Sequence, residues 1–198
     1  IDRGCEPVSI GFVNSSKFKD TTGSTYVWDF GGLGSSINRD PAAFSFFNNE
    51  GTDKPYTVTL KEVTKYGCED VVSKTAIAYA HIEADFIPRK PAVCAPDPVE
   101  LENTVLPGNK YYFWDFDGNG TVDGTSGSSV VSHIYQNVSA NPLTYNIVLK
   151  VQDEHPACEK TANSMVTIYP QVIADFTYTD SIGCQPLTVN KFINKSNI

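Results

Sequence analysis

Tyr112-Phe113-Trp114-Asp115-Phe116-Asp117-Gly118 decides the fold, because a shorter copy, Tyr26-Val27-Trp28-Asp29-Phe30-Gly31, stands 86 residues earlier. In both stretches tyrosine, tryptophan and phenylalanine alternate with their neighbours at period two, the pattern of a strand with one buried face. Other landmarks keep nearly the same step. Cys5, Cys94 and Cys184 are 89 and 90 residues apart, Cys68 and Cys158 are separated by 90, and Ala84-Asp85-Phe86 returns as Ala174-Asp175-Phe176. A fixed period means one structural unit copied in tandem. A unit of about 90 residues can bury a core of its own, unlike the short repeats of solenoids.

Further alternating runs fill the unit. Tyr56, Val58 and Leu60 interleave with polar residues, and Tyr145, Ile147, Leu149 and Val151 repeat the pattern. No segment shows a capped 3.6 period, so almost no helix is expected. In the second unit, strands are predicted near 83–87, 98–104, 110–116, 130–136, 143–152 and 162–169, separated by Gly, Pro and Asn turns. This is the signature of an all-β chain of tandem, Ig-like antiparallel β-sandwich domains. The phase of the repeat predicts domains at 1–81 (first strand missing), 82–170 (complete) and 171–198 (the opening strands of a third). On this reading the chain is cut from something longer.

Fifteen basic and 23 acidic residues give a net charge of −8 without a basic run, which argues against nucleic acid as a partner. No apolar stretch is long enough to span a bilayer as a helix. The five cysteines become orderly on the repeat: each whole unit holds one early and one late cysteine, 63 residues apart for Cys5 and Cys68 and 64 for Cys94 and Cys158. The simplest expectation is therefore two disulfides, Cys5–Cys68 and Cys94–Cys158. Cys184 would be left with a partner downstream. Structural disulfides imply an oxidising compartment, hence an extracellular protein. A metal role for the cysteines lacks the CxxC spacing or clustered histidines it would need.

These segments together resemble the PKD (polycystic kidney disease) domain family. Tyr26–Gly31 and Tyr112–Gly118 resemble its central signature, as does His133-Ile134-Tyr135 followed by Tyr145–Val151. The first unit departs from it, with Phe44-Ser45-Phe46 at the His-x-Tyr position. Gly4-Cys5-Glu6-Pro7 and Gly183-Cys184-Gln185-Pro186 resemble the repeats of large Bacteroidota surface proteins, including gliding adhesins. The resemblance implies that Trp28 and Trp114 are core residues rather than ligand platforms. It also gives meaning to Asp20-Thr21-Thr22 and Asp180-Ser181-Ile182, which are similar to the short O-glycan acceptor pattern of that lineage and make Thr21 and Ser181 candidates.

The sharpest chemical signal is Asp115-Phe116-Asp117-Gly118-Asn119-Gly120-Thr121-Val122-Asp123. Oxygen-bearing residues at positions one, three, five and nine, with glycine at six, resemble the first part of an EF-hand-type calcium loop. Asp115, Asp117, Asn119 and Asp123 would offer side-chain oxygens and Thr121 its carbonyl. Ser126 stands where the bidentate glutamate is expected. The competing reading is a soluble Asp/Asn/Gly hairpin turn. The first unit has Gly31, Leu33 and Ile37 in the matching loop, so calcium would belong to the second domain alone. Asn14, Asn119, Asn137 and Asn194 fit the N-glycan rule. His81, His133 and His155 fall at unrelated points of the repeat, no carboxylate pair recurs with catalytic spacing, and no enzyme activity is expected.

The functional expectation is a non-catalytic stalk or filament segment of a bacterial cell-surface protein, an adhesin. Its partners would be neighbouring repeats of the same chain, with surface glycans or proteins engaged through regions outside this segment. The rival is a spacer region of a secreted protease or polysaccharide hydrolase. A self-assembling fibre is the third possibility, with an incomplete terminal unit accepting a strand from a neighbour.

Overall fold

The computed structural model describes residues 2–17, 22–105, 111–178 and 191–196. Its described residues form strands, turns and loops, with no helix among them. The chain divides into two compact units: Ile1–Glu83 together with Gln152–Glu159, and Ala84–Val151 together with Lys160–Ile198.

In the first unit, β1 (Arg3–Gly4), β3 (Thr25–Phe30), β4 (Ser35–Ser36), β6 (Lys54–Val63) and β7 (Glu69–Ala78) form one sheet in the order β1-β7-β6-β3-β4. A second sheet pairs β2 (Val8–Ile10) with β5 (Phe44–Phe46). Alternation puts Tyr26, Trp28 and Phe30 of β3 and Tyr56, Val58 and Leu60 of β6 inward, where they meet Val8, Ile10 and Phe46. The rings of Phe12, Phe30, Phe44 and Phe46 pack at centroid distances of 4.4–6.3 Å.

The second unit repeats this plan. β11 (Tyr111–Asp115), β13 (Leu143–Gln152), β14 (Glu159–Tyr169) and β9 (Ala92–Cys94) form one sheet in the order β11-β13-β14-β9. β12 (Val130–Ile134), β10 (Pro98–Asn103) and β8 (Phe86–Pro88) form the other. Trp114 is completely buried, with Leu101, Ile147, Leu149 and Val151 around the same core. The indole N–H of Trp114 donates to the Ser126 carbonyl at 2.9 Å, as that of Trp28 donates to Asn38 at 3.0 Å. Both tryptophans are therefore core residues with satisfied polar tips. β15 (Phe176–Tyr178) pairs antiparallel with β16 (Phe192–Asn194). The architecture is all-β and Ig-like, with two packed sheets per unit.

Two short strands were not foreseen. β1 and β9 pair in parallel with the C-terminal ends of β7 and β14, in the registers Gly4↔Ala78 and Tyr169↔Cys94. They correct the cysteine pairing. Cys5 follows β1, at one end of β7, whereas Cys68 precedes Glu69 at the other end. Ten residues of strand separate those ends by roughly 33 Å, and a disulfide spans no more than about 7 Å between Cα atoms. The eleven residues of β14 hold Cys94 and Cys158 apart in the same way. Cys5 instead bonds to Cys158, with Cα atoms 5.3 Å apart, and Cys68 and Cys94 are free and exposed.

Equivalent asparagines lock each unit. Asn48 and Asn137 are both only 1% exposed. The Asn48 amide donates to the carbonyls of Thr52 and Ala78, and the Asn137 amide to those of Asn141 and Ile168, at 2.8–3.0 Å. Each amide oxygen accepts a backbone N–H two residues on, from Glu50 or Ser139. Replacing Asn137 by Ala removes the donor to the buried Ile168 carbonyl and two part-buried bonds, and should cost about 2 kcal/mol in denaturant unfolding. Asn194→Ala, at an exposed Asx turn, should cost about 1 kcal/mol or less in the same assay.

Candidate metal centre

The Asp115–Asp123 loop is built from a strand that ends and cannot continue. Trp114 closes the loop's neck by bridging Gly124, with its N–H donating to the Gly124 carbonyl and its own carbonyl accepting from Asp123, both at 2.8 Å. Gly118 and Gly120 turn the chain at φ of +74° and +86°. At Gly118 a Cβ would also lie 2.7 Å from the Asn146 carbonyl oxygen, so only glycine fits there.

Within this frame the carboxylates of Asp115, Asp117 and Asp123 converge, each offering an oxygen within 4.8 Å of the others. Asp115 is buried and occupied by the backbone. One oxygen accepts the Gly118 N–H at 2.7 Å and the other accepts the Gly120 N–H at 2.7 Å. Asp123 accepts the Phe116 N–H at 2.7 Å. Asp117 takes the Asn119 N–H at 3.1 Å and its side-chain amide at 3.0 Å, while the Asn119 oxygen accepts the Thr121 N–H at 2.7 Å. The five sequence-predicted residues thus share one loop, but in two roles. Three carboxylates point together, and Asn119 and Thr121 brace the turn.

The electrostatics follow from this wiring. Burial pushes the Asp115 carboxyl up, but the N–H groups of Gly120, Gly118 and Asn119 outweigh it and hold the group below the ordinary carboxylate range. Burial lowers His133, opposed by the nearby charges of Asp123 and Asp117. Its ring stacks on Phe116 at 4.2 Å and meets Tyr135 edge-on at 4.6 Å. The Tyr135 hydroxyl donates to the Phe116 carbonyl at 2.6 Å, and burial raises its pKa strongly.

The set fits calcium in donor type and size. Oxygens bound to one Ca²⁺ at 2.3–2.6 Å can be no more than about 5 Å apart. In the first unit the matching Asp29 caps its own turn, accepting the Gly32 N–H at 2.8 Å, with no second carboxylate in that loop.

Other candidate residues lie elsewhere. Thr21 and Ser181 fall outside the described residues. Asn137 is buried with its amide nitrogen donating to backbone carbonyls, and Asn14 is 5% exposed with its oxygen accepting the Ser16 N–H, so neither presents its amide to solvent as a glycan acceptor. His81 faces Glu6 and Glu83, while His155 stacks on Tyr79 at 3.6 Å and lies beside Asp53 and Asp153. The three histidines have separate surroundings. Sequence reading missed Asn48 and Asn137 as structural pins, although their 89-residue spacing was available as a signal.

No protein-family model matches the sequence, and no curated protein is significantly similar to it. Solved structures with similar chain paths include the fibronectin(III)-like modules of CbhA from Clostridium thermocellum. That match has 11% identity and a TM-score of 0.36, covering 86% of this chain and 89% of that one. The Bacteroides ovatus SGBP-B protein of a mixed-linkage glucan utilization locus, solved with a heptasaccharide, matches at 14% identity and a TM-score of 0.29, over 84% of this chain and 42% of that one. The protocadherin GammaB4 extracellular domain matches at 11% identity and a TM-score of 0.39, over all of this chain and 37% of that one. This chain spans less than half the length of the latter two.

Asp115 sets an acid limit. Because its folded pKa lies below its unfolded value of about 3.9, its contribution is present above that pH and is lost as pH falls through the folded pKa. Calcium-free melts of the chain between pH 6 and 2.5 should show this loss. In Asp115→Asn the protein should be less stable at pH 6 and its acid decline shallower.

Proposed function

We propose that the chain is a non-catalytic tandem-repeat segment of PKD type, serving as a semi-rigid stalk in a large extracellular bacterial surface protein, an adhesin. One observation carries this reading: the second unit repeats the long hairpin of the first and the strand beside it, including the buried tryptophan, the asparagine pin and the parallel end strand. A repeated core, with no repeated reactive cluster among the described residues, is what a length-setting element requires. The Cys5–Cys158 bond supports an oxidising exterior. The junctions Ile77–Ala84 and Val166–Ala174 contain no Gly/Ser tract, which supports stiffness. Electron microscopy of the native, unproteolysed protein tests the reading. A long beaded rod rooted on the cell is the expected image, and a short stalk bearing one compact head would replace it with the hydrolase-spacer role.

Within that role, Asp115, Asp117 and Asp123 would hold calcium, which neutralises their mutual repulsion and stiffens the second unit's loop. Extracellular modules bind calcium with Kd of about 10⁻⁴–10⁻³ M. At tenfold over Kd the folded state gains about 1.4 kcal/mol, so calcium at about 5 mM should raise the melting temperature by about 3–6 °C. The Asp117→Asn/Asp123→Asn double variant should lose the shift. Equal shifts in both proteins would assign the effect to another site.

A further inference from the structure

Cys94 is the period equivalent of Cys5, and Cys68 that of Cys158. The equivalence is structural as well as numerical. The Ile77 N–H donates to the Asp2 carbonyl at 2.9 Å, and 90 residues on the Thr167 N–H donates to the Pro91 carbonyl at 3.0 Å. Cys5 and Cys94 therefore occupy the same seat, at the end of a short parallel strand laid on the far end of a long one. Cys68 and Cys158 each lie in the connection between the two long strands, β6–β7 and β13–β14. One early–late combination is bonded, and one cysteine of each type is free and exposed.

The surroundings match too. Beside Cys5, Tyr79 takes the ring of His155 face to face, at 3.6 Å and 11°. The counterpart of Tyr79 is Tyr169, which stands opposite Cys94 in the parallel register and is 45% exposed. Tyr169, Cys94, Val93, Pro98 and Arg89 line a cavity of about 440 Å³. The β6–β7 connection is one residue shorter than the β13–β14 connection; on the step that aligns Tyr56 with Tyr145, the position of His155 falls on Tyr66, which is 73% exposed and stands two residues before Cys68 where His155 stands three before Cys158. An aromatic ring with its thiol is thus presented by the hairpin end, and a second ring with its thiol lines the empty seat.

We propose that Cys94 and Cys68 are the open ends of a disulfide ladder, in which the early cysteine of one repeat bonds to the late cysteine of another repeat of the same kind. The occupant of the Cys94 seat is a hairpin end of the Thr64–Cys68 type, with its aromatic residue on Tyr169. Bond formation removes two electrons and two protons from the two thiols. Glutathione disulfide can accept them, through a mixed disulfide, and leave as two molecules of glutathione. The ladder deepens the stalk reading and rests on it only for the existence of further repeats. A second copy of this chain can supply the hairpin end in the test.

The experiment uses the full chain with Cys184→Ser, concentrated in a glutathione redox buffer and read by non-reducing electrophoresis and disulfide peptide mapping. The expected result is a multimer ladder whose intermolecular linkage is Cys68–Cys94, with Cys5–Cys158 retained inside each chain. Cys94→Ser should abolish the linkage. Tyr66→Ala should slow linkage roughly fivefold without changing the reaction of Cys68 with a small thiol reagent. Symmetric Cys68–Cys68 and Cys94–Cys94 bonds in the proportions of unselected thiols, or no linkage at all, would overturn the ladder. Intrachain Cys5–Cys68 and Cys94–Cys158 bonds would overturn it as well. A ladder confirmed on a protein that images as a short spacer would retain the disulfide inference and remove the adhesin reading.

Discussion

The length of the long strands governs the rest of the structure. β6, β7, β13 and β14 each run for ten or eleven residues, roughly twice the common strand length. In β7 and β14 only the C-terminal part is buried, while β6 alternates buried residues from Tyr56 to Glu62. In β7 the first seven residues are exposed and burial begins at Ala76, where β1 joins the sheet edge. One end of the hairpin therefore carries the early cysteine seat while the other carries the late cysteine. An extended backbone cannot fold back on itself to bring those two together without giving up its ladder hydrogen bonds. Strand length, more than the cysteine spacing, selects the disulfide partner.

The acidic loop shows a second constraint, imposed by charge. Three carboxylates within 4.8 Å repel one another, and the loop answers with backbone N–H groups aimed at them. Only a chain that can adopt left-handed turns can aim several consecutive N–H groups inward, which is why Gly118 and Gly120 stand where they do. The same wiring serves a turn or a cation site, since an oxygen that accepts an N–H still has a lone pair to offer. The first unit needs less, and its shorter loop keeps a single Asp29 with one N–H.

Much of the fold was legible in the residues because side-chain alternation is a local signal. Trp28 and Trp114, the inward face of β6 and β13, and the carboxylates of the Asp115 loop could all be placed from spacing. The missing parts depend on distance in space. β1 and β9 are two and three residues long and carry no alternation of their own; they exist because a neighbouring strand edge offers hydrogen-bond partners. Asn48 is surrounded in sequence by ordinary loop residues, and the acceptors that fix it, at Ala78 and Tyr79, are some thirty positions away. Asn137 was masked further by its fit to a glycan rule. The sequence period correctly grouped the cysteines into early and late types but carried no information on which types meet.

The pairing that results has a mechanical consequence. Tension applied along a polypeptide travels by the shortest covalent route, and Cys5–Cys158 takes a sequence separation of 153 residues out of that route. At about 3.4 Å per residue this is roughly 500 Å of contour that cannot be drawn out while the bond holds. Pairs within each repeat would have shielded 63 and 64 residues and left the stretch from Cys68 to Cys94 as the sole covalent path between them. That stretch includes β7, the outer member of the long hairpin, whose ladder to β6 would be the first structure loaded. With Cys5 bonded to Cys158, the same ladder lies inside the closed loop. The out-of-phase bond thus protects the strands whose length made the in-phase bond impossible.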